Sequence, residues 1–421
     1  MTYPEARKYI ESLQARGWRL GLDRMEVFLD RLGNPHDGLR AFHIAGTNGK
    51  GTVTGMISAC LTSAGYKTGS FYSPYVYDFR ERIQIDGEMI SKADVARLTA
   101  LIKPVADEMV YEEVGGPTEF EFKTAMAFVY WKEMGCDVAA VEVGLGGRLD
   151  ATNVIEEPVC AVITEIGLDH QQYLGDTIEK IAFEKAGIVK PGRPVVTGVT
   201  DDRAYGVIRE AAEERGSSCG RVEGLQSAVR PILRWENEGG SVLSPSPSPS
   251  LISENEGGEF GRATVTMMNR AVAVAALDAG LPGRDWESVA AEALRGFSMP
   301  GRMEVVSEEP RIVFDGAHNE QAIHTVLEAI DGQIVCVYSC ATGHRPLVDV
   351  LEERCRKVFT APMAHARALA AGEWETTHGS VKEAIDAALG EVEQGETLLV
   401  TGSFFLLAEA KAAMRDLTSE R

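Results

Sequence analysis

The sequence predicts an α/β protein: a mostly parallel sheet flanked by helices, followed by a second, smaller α/β domain. Three observations carry this. Short apolar runs alternate with amphipathic helical stretches, as in a parallel sheet with helical crossovers. An early run enters a glycine-rich turn, "AGTNGKGT" (45–52), from which a helix departs. Near residue 297 the alternation begins again. At 421 residues the chain exceeds one ordinary core, so domains of 1–296 and 297–421 are expected.

Residues 3–32 have helical periodicity, with Ile10, Leu13, Leu20, Met25, Phe28 and Leu29 apolar, ending at Gly33-Asn34-Pro35. "RAFHIAG" (40–46) reads as the strand entering the glycine turn and 52–65 as the helix leaving it. "EFEFKTAMAFVYWKEMG" (119–135) reads as a helix between strands. "DVAAVEVG" (137–144) and "PVCAVITEIG" (158–167) read as strands buried on both faces. Alternating Ser-Pro at 244–250 suits neither helix nor central strand, so about 236–261 is expected to be a flexible insertion. A helix near 266–280 and a hinge at 297–306 lead to "RIVFDGAHN", "QIVCVYS", "KVFTAP" and "TLLVTGS", the strands of a smaller Rossmann-like domain.

Composition excludes some classes. The net charge of −21 argues against a nucleic-acid partner. No apolar run reaches the roughly 18 residues of a membrane span. Charges in "MTYPEARKYI" replace the apolar core of a signal peptide, so a cytoplasmic protein is expected. Seven cysteines are sparse; Cys60, Cys136 and Cys160 read as small buried hydrophobes.

The glycine turn departs from the usual nucleotide loop G-x-x-x-x-G-K-[ST], whose first glycine would fall at Ile44. Its parts still form a phosphate-binding device of P-loop type. Backbone N–H groups approach the anion and a helix N-terminus adds a favourable dipole. Lys50 can neutralise a terminal phosphate and Thr52 can hold magnesium; the alternative is an incidental turn. Glu142 closes an apolar strand, where a carboxylate suits magnesium, and glycines follow it; the alternative is a surface acid before a flexible loop. His170 follows another strand; a structural histidine is the commoner case, since magnesium prefers oxygen. Lys185 reads as a solvated or ion-paired helix lysine. Asp315 and His318 in "FDGAHN" could reach a ribose, a phosphate or a second substrate, and Arg302 in "PGR" a phosphate.

The motifs "HIAGTNGKGT", "SPYVYDFRERIQIDGEMIS", "TEFEFKTAMAFVYW", "VEVGLGGRLDATNVI", "ITEIGLDH", "LGDTIEKIAFEKAGIVKPG", "PGRMEV" and "DGAHN" occur in this order. The chain thereby resembles the folylpolyglutamate synthase/dihydrofolate synthase family of Mur-ligase-like ATP-dependent amide ligases. The resemblance implies that Gly46, Thr47, Asn48, Gly49, Lys50, Gly51 and Thr52 cradle the ATP phosphates. It implies further ATP contacts from Asn269, Arg302 and Asp315. Ser73, Glu142 and His170 would hold magnesium, with two ions in all, and Lys185 matches a lysine that is carbamylated. His318 and Ser403 match positions linked to the incoming glutamate, Arg82 looks like a carboxylate clamp, and Thr118, Phe120, Asp150 and Ala151 match a pterin site. Lys50, Lys185 and His318 would be catalytic.

The chain departs from the family pattern at Tyr75 in "SPY", at Val265-Thr266, at Glu320 after "DGAHN", and at "CATGHRPLVDVL" (340–351). The resemblance implies an ADP-forming ligase that adds L-glutamate to a folate-type acid through an acyl phosphate. Its partners would be small molecules, and a monomer is expected. The competing readings are a Mur-type ligase for a non-folate acid and a P-loop NTPase switch, which would hydrolyse nucleotide without an acceptor.

Overall fold

In a computed structural model, which describes residues 1–17, 19–223, 232–235, 242–243, 260–370 and 372–419, the helix expected over 3–32 is interrupted. Helix Tyr3–Ser12 starts at a Thr2/Glu5 capping box and continues as a 3₁₀ turn, Leu13–Arg16. The chain leaves it at Gly17, where φ is +68°, and helix Asp23–Arg31 follows. The insertion expected at about 236–261 lies almost wholly outside the described residues.

Two units form, the first comprising Met1–Pro74, Phe79–Pro245 and Met268–Phe297. Its strands are β1 (Ala41–Ala45), β2 (Thr68–Phe71), β3 (Ile83–Ile85), β4 (Glu88–Met89), β5 (Val138–Glu142), β6 (Cys160–Ile163), β7 (Val195–Thr197), β8 (Cys219–Glu223), β9 (Ile232–Trp235) and β10 (Val242–Leu243). They make one ten-stranded sheet in the order β10-β9-β8-β7-β6-β1-β5-β2-β3-β4. From β8 to β2 every pairing is parallel; the outer strands pair antiparallel.

Every residue of β1 and β5 is buried, which is why these strands read as unbroken apolar runs. One face packs Phe42, Ile44, Val138 and Ala140 under Val53, Ile57 and Leu61 of helix Lys50–Ser63 and Ala276 and Leu277 of helix Phe260–Gly280. The other packs Ala45, Ala161 and Ile163 under Ile181 of helix Ile178–Ala186 and Ile208 of helix Asp202–Glu214. Each of the larger side chains here, Val, Leu, Ile or Phe, contributes roughly 1.5–3 kcal/mol when fully buried.

β1 lies between β5 and β6, and the chain leaves it first toward the β2 side and later returns on the β6 side. The carboxyl ends of β1, β5 and β6 therefore open onto one crevice, the usual ligand position in such sheets.

The second unit includes Tyr75–Asp78 and Ser298–Arg421. Its strands β11 (Glu304–Glu308), β12 (Arg311–Phe314), β13 (Ile334–Tyr338), β14 (Lys357–Thr360) and β15 (Thr397–Thr401) form a sheet of order β11-β12-β15-β13-β14. Only β11 is antiparallel. Helices Val381–Glu391 and Phe404–Ser419 cover one face, and Glu320–Glu328 and Val348–Glu352 the other.

Cys60 and Cys160 are buried as expected, but Cys136 is only half-buried, because it follows the left-handed Gly135 where helix Glu119–Met134 ends. Among the described residues no helix is long and apolar enough to cross a membrane.

Candidate active site

The glycine loop after β1 is held by its neighbour strand. Glu165 O accepts the N–H groups of Thr47 (2.7 Å) and Asn48 (3.2 Å), and Thr164 Oγ1 donates to Asn48 O (2.8 Å). Gly46 has φ +147°, and a Cβ there would lie 1.8 Å from Thr164 Oγ1, so only glycine fits. Thr47 Oγ1 bridges to Gly167, donating to its carbonyl and accepting its N–H, both at 3.1 Å. Lys50 is the first residue of helix Lys50–Ser63, two residues earlier than its apolar pattern predicts, and its Nζ donates to Thr47 O (3.1 Å). Gly51 and Thr52 thus lie in the first turn, whose N–H groups have no partner within the helix. Asn269 closes the loop from helix Phe260–Gly280: a Cβ on Gly49 would lie 2.7 Å from its Oδ1.

Lys185 is buried, and its Nζ donates to Gly46 O (2.7 Å). The solvated or ion-paired lysine read from the residues alone is thereby corrected. Lys185 falls on the stripe of Ile181, Ala182 and Ala186 that faces the sheet. Burial, with the charge of Lys50 adding to it, pushes its pKa down from 10.5 to about 7.

Glu142 ends β5 with only 1% exposure, and its Oε2 accepts the Ser73 N–H (2.9 Å). His170 follows β6 with φ +48°, beside the buried Asp169, whose Oδ2 lies 3.9 Å from His170 Nε2. Asp169 was missed in the sequence, although it directly precedes His170. A carboxylate at the end of β5, a hydroxyl after β2 and an imidazole in the loop after β6 are donors that suit a divalent cation, the oxygens foremost.

On the other side of Glu142, helix Glu119–Met134 begins at Thr118, whose hydroxyl accepts the Glu121 N–H (3.3 Å). Phe120 packs edge-on to Phe71 at 5.8 Å between centroids. The Arg82 guanidinium, 6% exposed, stands 5.7 Å from the Phe71 centroid and 5.8 Å from that of Phe120. Asp150 is buried and committed to its own loop. It accepts Leu145 N (2.9 Å), Thr152 N (3.0 Å) and Thr152 Oγ1 (2.6 Å), while burial raises its pKa. Ala151 is buried in the 3₁₀ turn Ala151–Val154. His43 of β1 extends this chain of bonds: since the Thr152 hydroxyl proton goes to Asp150, His43 Nε2–H donates to Thr152 Oγ1 (2.8 Å).

The second unit gathers the remaining predicted residues. Asp315 spends both oxygens on backbone, accepting Met303 N and Ala317 N at 2.8 Å each. Arg302 stacks over Phe404 at 5.0 Å, and its buried Nε has no hydrogen-bond partner among the described residues. His318 Nδ1–H donates to Gly316 O (2.8 Å), and its ring meets that of His344 at 5.0 Å. Ser403, buried at the end of β15, accepts Phe405 N (3.2 Å).

Residues 44–223 match the Mur ligase middle domain, and residues 301–404 the Mur ligase glutamate ligase domain. The dihydrofolate synthase/folylpolyglutamate synthase of Bacillus subtilis (strain 168) is 34% identical, over 98% of this chain and 99% of its own. The folylpolyglutamate synthase of Lacticaseibacillus casei is 32% identical over the same shares. Among solved structures, E. coli FolC in complex with DHPP and ADP superposes with TM-score 0.81 at 28% identity, covering 99% of each chain. A bifunctional folylpolyglutamate synthase/dihydrofolate synthase from Yersinia pestis, complexed with AMPPNP and Mn ion, gives 0.80 at 29% identity over 99% of this chain and 98% of that one. With both domain models matched in order and full-length identity above 30%, this chain belongs to the folylpolyglutamate synthase/dihydrofolate synthase family of Mur ligases.

Proposed function

We propose that this chain is an ADP-forming ligase that joins L-glutamate to a folate-type carboxylic acid. The observation that carries the reading is the glycine loop itself. Lys50 and the buried Lys185 both donate to its carbonyls, one strand from the buried carboxylate of Glu142. The Lys50 charge and a helix N-terminus at one loop suit a polyphosphate, and Lys185 braces that loop through the Gly46 carbonyl. The relatives' names and their bound ADP, AMPPNP and DHPP support nucleotide and pterin acid as the substrates.

In the first step an oxygen of the acid attacks the γ-phosphorus of ATP. The bond to the β,γ-bridging oxygen breaks, and ADP leaves an acyl phosphate behind. Lys50, the N–H groups of Gly49, Gly51 and Thr52, and Arg302 would stabilise the charge spread over the phosphoryl oxygens. Asn269 and Asp315 would fix the nucleotide. Ser73, Glu142 and His170 would hold magnesium, with Asp169 beside His170; the ion, when bound, neutralises phosphate charge. Arg82, Thr118, Phe120, Asp150 and Ala151 would receive the acid. In the second step the amine of glutamate attacks the acyl carbon, phosphate leaves with the C–O electrons, and the amine loses a proton. His318 would take up that proton, and Ser403 would help to seat the glutamate.

The depressed pKa of Lys185 leaves much of it neutral at ordinary pH, the form that carbon dioxide converts to a carbamate. Such a carbamate would offer oxygens to a second magnesium ion. The reading includes a monomer acting in the cytoplasm.

The test offers purified protein ATP, magnesium, L-glutamate and, in turn, dihydropteroate, tetrahydrofolate and non-folate acids. Dependence of ADP release on a pterin acid and on glutamate supports the reading. Nucleotide hydrolysis indifferent to both would favour the NTPase switch, and turnover with a non-folate acid alone would favour another Mur-type ligase.

A further inference from the structure

The segment between the two N-terminal helices joins elements far apart in sequence. Arg24 of helix Asp23–Arg31 makes a two-pronged bond to Glu121, Nε to Oε2 and Nη2 to Oε1, both at 2.8 Å. The pair is nearly dry, with side-chain exposures of 10% and 2%. Glu121 Oε2 also accepts the Thr118 N–H (2.6 Å), completing the capping box that starts helix Glu119–Met134. Arg16 Nη1 donates to Pro117 O (2.6 Å) one residue earlier. Gly21 N donates to Leu149 O (3.3 Å), next to Asp150.

A capping box satisfies a helix start without help from another element. Here a second helix grips the same carboxylate, through the planar fork that fixes angle as well as distance. What the grip orients is Phe120, between Thr118 and Glu121. Its ring lies against Gly144, where a Cβ would come within 2.5 Å of Phe120 Cζ. A small rotation of this helix start would drive the ring into the glycine loop after β5 or open a gap beside it.

We infer that Arg24 is a positioning residue for the acid substrate: by holding Glu121 it sets Thr118 and Phe120 against the loop 144–150. Its hydrogen bonds among the described residues go to Glu121 and to Arg19 O, and none reaches the nucleotide loop, so its influence falls on the acid and not on ATP. The inference rests on the ligase reading above and deepens it.

The test compares wild type, Arg24→Met and Arg24→Lys as full chains, with KM measured separately for dihydropteroate (or tetrahydrofolate, if wild type uses that acid), ATP and glutamate. Arg24→Met is expected to raise the acid KM about 10-fold while kcat and the ATP KM stay within about twofold, because uniform binding is lost. Arg24→Lys, which keeps the charge without the fork, is expected to fall between. Should Arg24→Met fail to fold, Arg24→Lys carries the same comparison. An unchanged acid KM in the folded variants, or a parallel rise in the ATP KM, would overturn the inference while leaving the ligase reading standing. A wild type that couples glutamate to neither acid would overturn both.

Discussion

Lys185 Nζ donates to the carbonyl of Gly46 across 2.7 Å, inside a site where the lysine is buried. Its pKa is held at about 7 instead of 10.5. Below about pH 7 folded and unfolded chains both carry the proton. Between there and 10.5 the unfolded lysine keeps a proton that the folded one has shed, so stability rises with pH. Urea unfolding in carbon-dioxide-free buffer should show wild type gaining on Lys185→Met by about 2–3 kcal/mol from pH 7.5 to 9.5. A gap that stays constant or shrinks would mean that the amine remains charged in the fold.

The same lysine should react with carbon dioxide. With ¹³C-bicarbonate, wild type is expected to give a carbamate resonance that Lys185→Met lacks. A spectrum identical in the two proteins would leave Lys185 as an unmodified anchor of the loop.

Gly46 admits no side chain, since a Cβ would sit 1.8 Å from Thr164 Oγ1. Gly46→Ala should cost about 1–3 kcal/mol or more of stability and weaken ATP binding sharply. Adding Thr164→Ala should restore part of the stability, because it removes the colliding hydroxyl. Nucleotide titration and thermal unfolding of the single and double variants check this; normal ATP affinity in Gly46→Ala would separate the loop from the nucleotide.

The resemblance places Asp150 at a pterin site, yet its oxygens accept Leu145 N, Thr152 N and the Thr152 hydroxyl. Its replacement strands buried donors. Asp150→Ala should therefore lower stability by about 2–4 kcal/mol, as expected for groups left unsatisfied. The acid KM should rise as well, because the loop 144–150 loosens. A variant of unchanged stability with impaired acid binding would make Asp150 a contact residue alone.

Glu142, buried at the tip of β5, should be required for turnover. Glu142→Gln keeps the shape and removes the charge. Ligation should fall on the order of 100-fold or more, with the magnesium requirement shifted upward. Near-normal ligation at low magnesium would remove Glu142 from the metal set.

Much of the central sheet was legible because β1, β5 and β6 are buried on both faces and so read as continuous apolar runs. Glu142 stood out as an acid closing such a run and followed by glycines. Other features hid for physical reasons. The break at Gly17 was masked because Leu20 and Met25 continue the helical spacing, although Leu20 is exposed and only Met25 is buried. The burial of Lys185 was readable in principle, four residues after Ile181 on the sheet-facing stripe, but a lysine is ordinarily assigned to water. The Arg24–Glu121 pair joins residues 97 positions apart, and no local spacing signals such a contact. Asp169 went unnoticed beside a histidine that drew the attention.

The most direct measurement is the mass of the product formed from ATP, L-glutamate and a pterin acid. The acid should emerge one glutamyl residue heavier, joined through an amide, with one ADP and one phosphate released for each product. Nucleotide consumed at the same rate without the acid, and an acid recovered unchanged, would contradict it.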